Sequence, residues 1–406
     1  MYNIISLESL CKEIIDCPHS TPKWQNEGIP VIRNYNLKDG KIDCTNLSFV
    51  SEEDYNERVK RAIPEESDII ISREAPMGVV GIVPKGFKCC LGQRLVLLKI
   101  DKSKCIPKYL LYSLMSEYVQ LQIRRINRTG SIVSNLNISS LKELKILLHN
   151  FEGQRKIANI LSAIDDKIQI NNQINQELAV MAKTLYDYWF VQFDFPDPNG
   201  KPYKSSGGKM VYHPELKREI PEGWGVENLF DIADVQYGYP FSTDYFNSIG
   251  EGVPVIRIRD ILGNDITNYS TEEVEDKYKI NVGDVLIGMD GNFHMNYWIK
   301  EDCYLNQRVV KVNSDKLPNM VLKYQIEPFI KLREKSVSRT TVGHLSDKDL
   351  KAINVILPRD KYLSSIFEKF ESILENIIIN QQQNQELTQL RDWLLPMLMN
   401  GQVKME

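Results

Sequence analysis

The sequence predicts an α+β protein made twice over: two pseudo-symmetric mixed α/β globular domains, joined and separated by two long antiparallel coiled-coil helices. Three observations predict it. The stretch "GIPVIRN" at Gly28 returns as "GVPVIRI" at Gly252, and the echo continues towards the C-terminus. Short β-branched runs bounded by Gly or Pro precede a helical stretch in each copy. Each copy then ends in a sustained heptad pattern, which calls for a second helix to cover it.

The repeat has an informative register. Asp68-Ile69-Ile70-Ile71 returns as Asp284-Val285-Leu286-Ile287, and Gln93-Arg94 as Gln307-Arg308. Further on, Val133-Ser134-Asn135-Leu136 returns as Val342-Gly343-His344-Leu345, and Asn175-Gln176-Glu177-Leu178 as Asn384-Gln385-Glu386-Leu387. The offset drifts from 224 (252 − 28) through 216 (284 − 68) and 214 (308 − 94), then holds at 209 (342 − 133 and 384 − 175). Each copy is therefore a variable globular portion followed by a portion of fixed length.

The first domain takes residues 1–150. Ile29–Arg33, Asp68–Ser72, Val79–Val83 and Arg94–Ile100 read as strands, and Pro107 opens a helical stretch, "KYLLYSLMSEYVQLQIRRI", with apolar residues three and four apart. Residues 151–193 read as the first spacer helix, nearly 60 Å long at about 1.5 Å per residue. One of its heptad positions holds Ile157, Ile164, Asn171, Leu178 and Leu185; the companion expected three residues on holds Ile160, Lys167, Ile174, Met181 and Tyr188. Residues 194–221, rich in Pro, Gly, Ser and Lys, read as an exposed connector. The second domain takes 222–358, with its helical stretch in "LPNMVLKYQIEPFIKLREK". The second spacer helix, 359–398, carries Ile366, Ile373, Asn380, Leu387 and Leu394, beside a poorer companion of Lys369, Asn376, Gln383, Leu390 and Met397. Asn171 and Asn380 hold equivalent slots, and an Asn in an apolar seam lowers stability while fixing register.

Composition narrows the functional classes. At 26% charged and 42% hydrophobic residues, the chain suits a soluble protein of two or three domains. No apolar run is long enough to span a membrane, and "MYNIISLESLCKEII" lacks the segments of a signal peptide. Seven cysteines without a CxxC pair suit neither a disulfide framework nor a zinc site, so a reducing, cytoplasmic compartment is expected. The net charge of −4 places any DNA contact in local patches. Catalytic signatures are missing. "SSGGKM" at Ser205–Met210 lacks the earlier glycine and the hydroxyl residue of a phosphate-binding loop, and the sequence has no adjacent prolines for an amino-methyltransferase signature. The five histidines are scattered without metal-ligand spacing. No metal or cofactor is expected on this chain, and the reading is of a non-catalytic protein.

Two variable domains, the helices with "NQELAVMAKTLYDYWFVQFDFP" and "NQELTQLRDWLLPMLMNGQV", and the connector "NGKPYKSSGGKMVYHPELKREIPEGW" resemble the specificity subunit of type I restriction–modification systems over essentially the whole chain. The resemblance implies that each globular portion is a target recognition domain reading one half of a bipartite double-stranded DNA sequence. It implies that the helix pair is the spacer and docks two modification (methyltransferase) subunits, to which ATP-driven restriction subunits can add. S-adenosylmethionine, ATP and Mg would then sit on those partners. Such a target needs two readers at a fixed separation, since sites on one side of B-DNA recur about every 34 Å. Two other classes remain open: an adaptor whose domains bind protein, and an enzyme with an unrecognised nuclease or methyltransferase site.

Major-groove reading favours Arg on guanine and Asn or Gln on adenine. The first domain offers Arg33, Asn34, Arg73, Gln93, Arg94, and the group Arg124, Arg125, Arg128 with Ser131. The second offers Arg257, Arg259, Asn292, His294, Gln307, Arg308, and Arg339 with Thr340. Arg33 and Arg257 serve equally well as internal anchors, and Gln93/Arg94 and Gln307/Arg308 as braces of the fold. Stretches where the copies disagree are the better candidates for specificity: "SREAPMG" against "GMDGNFHMN", and "RRINRTGS" against "KSVSRTT".

Overall fold

The strands expected from β-branched runs form the centre of each domain. The computed structural model describes residues 2–128, 135–336, 343–358 and 363–403. The chain divides into two compact units, Met1–Ile168 with Glu386–Glu406, and Gln169–Gln385.

In the first unit, Asn3–Ser6 pairs antiparallel with Lys145–Leu148, tying the two ends of the domain together. The main sheet is antiparallel, in the order Cys11–Asp16, Leu95–Ile100, Ile69–Ser72, Val80–Ile82. Both of its faces are covered, so Ile69, Ile70 and Ile71 are all fully buried. Ile69 and Ile71 face a core shared with the helices, while Ile70 faces a second core with Ile32, Leu91 and Leu97. That two-sided burial is why the strand reads as a continuous apolar run rather than an alternating one. A second sheet contains Cys90–Leu91 parallel to Ile29–Ile32, followed by Ser48–Val50 and Trp24–Gln25.

The second unit repeats the plan. Gly225–Asn228 pairs with Asn354–Leu357, and the main sheet runs Asp234–Tyr237, Val309–Asn313, Val285–Gly288, Met295–Tyr297. Val253–Ile256 lies parallel to Cys303–Leu305, as Ile29–Ile32 does to Cys90–Leu91. Val285 and Ile287 again face one core and Leu286 the other.

The opening glycines of the echo have a physical reason. Gly28 and Gly252 hold positive φ (135° and 83°), and a Cβ on either would meet a carbonyl oxygen, of Val50 at 2.3 Å or of Ser270 at 2.0 Å. Both strands start flush against a neighbouring backbone, which only glycine permits.

One expectation about the globular portions needs correction. The helical stretch opened by Pro107 is two helices, Pro107–Met115 and Glu117–Arg128. Ser116 between them is extended (ψ 147°), with its hydroxyl donating to the Ser113 carbonyl at 2.6 Å. In the second unit Asn319–Ser336 is one helix. The connector is largely exposed, as expected, and its ends are anchored. Phe195 is buried between Trp224 and Tyr203, with ring centroids 4.9 and 4.7 Å away, and Asp194 accepts hydrogen bonds from the N–H and hydroxyl of Ser205 (2.7 and 2.6 Å). Its Met210–His213 and Arg218–Pro221 form a hairpin.

The first spacer helix is Phe151–Tyr186, prolonged by a π-helical turn at Asp187–Val191, and the second is Ser364–Met399. The first heptad position lies inward as expected. Ile157, Ile164, Asn171, Ile366 and Ile373 are buried, and Leu178, Leu185, Asn380, Leu387 and Leu394 are half-buried. The companion does not. Ile160, Lys167, Ile174, Met181 and Tyr188 are exposed, and the inward positions are one residue later: Leu161, Ile168, Asn175, Ala182 and Trp189. The second helix follows the same alternate spacing of four and three, with Phe370, Ile377, Asn384, Arg391 and Leu398 in place of Lys369, Asn376, Gln383, Leu390 and Met397.

Within the second unit the helices run antiparallel through a cluster of asparagines. Asn171 Nδ2 donates to Asn384 Oδ1 (2.9 Å), and Asn380 Nδ2 to Asn175 Oδ1 (2.9 Å). Moving forward from Asn171 to Asn175 moves the partner back from Asn384 to Asn380. A shift of 209 carries Asn171 to Asn380 and Asn175 to Asn384, so the two bonded pairs are copies of one contact. The first unit holds a different contact, a buried ion pair between Arg391 Nη1 and Asp165 Oδ1 at 3.1 Å, with Tyr112 donating to the other carboxylate oxygen at 2.6 Å.

Candidate nucleic-acid interface

In the first unit, the ends of two main-sheet strands bring three of the candidate residues, Arg73, Gln93 and Arg94, near two carboxylates. Arg73 and Glu74 follow the strand Ile69–Ser72, while Gln93 and Arg94 precede Leu95–Ile100, its antiparallel neighbour. Arg73 is spent on the fold. Its Nη1 meets Asp16 Oδ2 at 2.7 Å, Nε donates to the Leu136 carbonyl at 3.0 Å, and Nη2 to Asn135 Oδ1 at 3.2 Å. With every donor group committed and the side chain 12% exposed, it acts as a brace. Asp16 also lies 3.2 Å from His19 Nε2, and Gln93 donates to the His19 carbonyl.

Arg94 is placed differently. Its side chain is 57% exposed, and Nε lies 3.1 Å from Glu74 Oε2. Glu74 Oε1 accepts from Asn135 Nδ2 at 2.9 Å, while the Glu74 carbonyl accepts from Asn34 Nδ2 at 2.6 Å. Arg33 stands to one side, exposed, with its guanidinium over the rings of Trp24 (5.2 Å) and Tyr35 (4.9 Å). Both rings are themselves exposed, so the three form a cationic aromatic surface. Arg124 pairs with Glu117 on the helix Glu117–Arg128, where Arg125 is also exposed. Ser131 and the side chain of Arg128 lie outside the described residues.

The second unit repeats the arrangement with other side chains. Met289 takes the place of Arg73, Asp290 of Glu74, Arg308 of Arg94 and His344 of Asn135. The backbone bonds prove the equivalence: Arg73 N–H donates to the Arg94 carbonyl (2.8 Å) as Met289 N–H does to Arg308 (2.9 Å), and Leu136 N–H to Arg73 (3.0 Å) as Leu345 N–H to Met289 (2.7 Å). Arg308 Nε lies 3.3 Å from Asp290 Oδ2, and His344 Nδ1 lies 2.7 Å from Asp290 Oδ1. Gln307 and Asn292 are exposed and His294 half-buried. Arg257, 29% exposed, reaches Thr267 Oγ1 at 3.4 Å, and Arg259 is 64% exposed beside the buried Asp260. Burial holds the Asp260 carboxyl above its ordinary range, against the bond from Thr267. Arg339 and Thr340 lie outside the described residues.

Four residues of this surface escaped the reading of side-chain types alone: Glu74, Asp290, Asn135 and His344. A signal existed, because Glu74 and Asp290 are two acids at the same offset of 216 as Asp68 and Asp284. The helices offer a further surface. Ile170 and Met181 of the first are exposed, and so are Ile379 and Leu390, their counterparts at the 209 offset in the second. Among the described residues, no three His, Cys, Asp or Glu side chains are placed to hold a metal ion, and no helix is long and apolar enough to cross a membrane.

The family model described as the type I restriction modification DNA specificity domain matches twice, at residues 4–180 and 221–389. The type I restriction enzyme MjaIX specificity subunit of Methanocaldococcus jannaschii is 28% identical over 371 residues, covering 88% of this chain and 82% of that protein. The HindI specificity subunit of Haemophilus influenzae is 22% identical over 364 residues, covering 73% and 78%. Among solved structures, the S subunit of a type I restriction-modification system from M. genitalium shares the fold, with a TM-score of 0.56 at 19% identity, covering all of this chain and 97% of that one.

Proposed function

The chain belongs to the family of type I restriction–modification DNA specificity proteins, and from that premise we propose that it is the sequence-reading subunit of a DNA-modifying complex. Each lobe reads one half of a bipartite target in the major groove, and the helix pair sets the spacer between the halves. The observation that carries the reading is the repeated lobe. One strand order and one set of backbone bonds recur, while the side chains at the strand ends differ, as Arg73 differs from Met289 and Asn135 from His344. A frame kept constant beneath changed side chains is what two readers of different sequences require.

The helices supply the partner surface. Exposed apolar residues recur at equivalent positions of the two helices, Ile170 with Ile379 and Met181 with Leu390, which fits two copies of one methyltransferase subunit. The chemistry then belongs to those partners, which bring S-adenosylmethionine, and ATP and Mg where restriction subunits join. This chain contributes recognition and no reacting group.

The antiparallel asparagine pairs dictate the form of the test. Lengthening one helix alone would leave seven residues unmatched, so one heptad is inserted into both, beside Gln173 and Gln382. Methylated positions in genomic DNA are then mapped by sequencing. The spacer of the methylated motif should change while both half-sites persist. Methylation with the spacer unaltered contradicts the role given to the helices, and sequence-independent methylation by the unaltered complex contradicts the function itself.

A further inference from the structure

The two lobes hold one arginine in the same way, and the manner of holding says what it reads. Arg94 and Arg308 each precede the central strand of their sheet and each meet a carboxylate, Glu74 or Asp290, through Nε. In each case the second carboxylate oxygen is itself bonded, to Asn135 Nδ2 at 2.9 Å or to His344 Nδ1 at 2.7 Å. The acid is thus fixed from behind and draws the arginine to it as an ion pair. Among the described residues, no nitrogen of either guanidinium makes a hydrogen bond, the contact with the acid being an ion pair, and both side chains are about half exposed (57% and 52%). Arg73, next to Glu74, is the contrast: its donors are all taken by Asp16, Asn135 and Leu136.

Nε is the guanidinium atom nearest the carboxylate, which leaves the Nη1–Nη2 edge for another acceptor. That edge matches the O6 and N7 acceptors of guanine in the major groove, which no other base presents together. The same edge can clamp two phosphate oxygens, which would position the chain without specifying a base, so the test below separates the two. Resting on the reading of this chain as a DNA-specificity subunit, we infer that Arg94 and Arg308 each read a guanine, one in each half of the target, and that Glu74 and Asp290 are positioning residues that aim them. Each half-site therefore contains a G·C pair at the position its arginine reaches. The side chains that differ between the lobes set the remaining bases.

The test uses the full chain in its complex with methyltransferase subunits and maps the methylated motif by sequencing. The wild-type motif should hold a G·C pair in each half. Arg94→Gln should relax discrimination at one G·C position of one half by about 5- to 150-fold, the value of one good bidentate contact, and leave the other half intact. Arg308→Gln should do the same in the opposite half. Glu74→Gln and Asp290→Asn keep the arginines but release their aim, so each should relax the same position by a smaller factor. Persistence of the untouched half-site separates lost reading from lost folding. Where Arg94→Gln gives no methylation at all, Glu74→Gln decides: relaxation confined to that position upholds the inference, and an unchanged motif overturns it. A half-site without G·C overturns it too. So does a loss spread evenly over all sequences with a salt slope shallower by about one, the mark of a phosphate contact. If the wild-type complex methylates without sequence preference, the function proposed above fails. If it is specific and the variants leave its motif unchanged, only this inference does.

Discussion

Removing Arg391 should cost the first unit far more than a surface charge would. Its guanidinium and the Asp165 carboxylate are each about nine-tenths buried and lie 3.1 Å apart. Burial is the largest influence and works against the charge of Arg391, but the bonds and charges of Asp165 and Asp392 together outweigh it, leaving the arginine's pKa above its usual value. Tyr112, donating to the same carboxylate, is pushed well above the ordinary tyrosine range by burial and then by Asp165. Arg391→Met preserves volume but strands the carboxylate, a loss of about 3–5 kcal/mol for one partner of a buried pair. In a unit of this size each kcal/mol moves the unfolding midpoint by roughly 2–4 °C, so the first unit should melt roughly 6–20 °C lower. The polar group left behind, not the missing contact, is the cause. Asp165→Leu with Arg391→Met and Tyr112→Phe removes all three polar groups and should therefore return to within about 2 kcal/mol of wild type. The equivalent place in the second unit already uses this solution, with Leu374 and Ala182 both buried in its core. The assay is thermal unfolding, with hydrogen exchange to localise the loss. A cost below about 1 kcal/mol for Arg391→Met, or a triple variant as unstable as the single one, would refute the reasoning.

Two further outcomes follow from the same geometry. Gly252→Ala must hold φ at 83° and clear the Ser270 carbonyl, so it should destabilise the second unit by about 2–5 kcal/mol in denaturant titration, and Gly28→Ala should do likewise in the first. Asp194 is held below the ordinary aspartate range by the hydroxyl and then the N–H of Ser205. A depressed carboxylate stabilises the native state above its unfolded value of about 3.9 and loses that contribution as pH falls through the folded value. Hydrogen exchange at the Ser205 amide should therefore quicken as pH falls below about 4, relative to its intrinsic rate. Asp194→Asn should remove that dependence.

The fold was legible because its signals are local or repeated. The β-branched run Ile69–Ile71 and its copy Val285–Ile287 are central strands, and the constant offset of 209 marks the two long helices. The inward companion stripe was not legible. Apolar residues three and four along from the first stripe both satisfy helical periodicity, and Ile160 and Leu161, Met181 and Ala182, or Tyr188 and Trp189 offer both choices side by side. The small Ala182 lies inside and the larger Met181 outside, which residue size would not predict. At the candidate interface the arginines were legible by type, but Arg73 and Arg94 could not be told apart. Only the pairing of their strands shows that Asp16 consumes one while Glu74 forms an ion pair with the other, which stays more than half exposed.

The central claim is that the duplicated lobes are independent readers of one split target. Its most direct test exchanges residues 222–358 for the matching domain of another specificity subunit and maps the methylated motif of the resulting complex. One half-site should change, while the other half and the spacer remain as in the wild type. A motif altered in both halves, or in neither, would contradict the account.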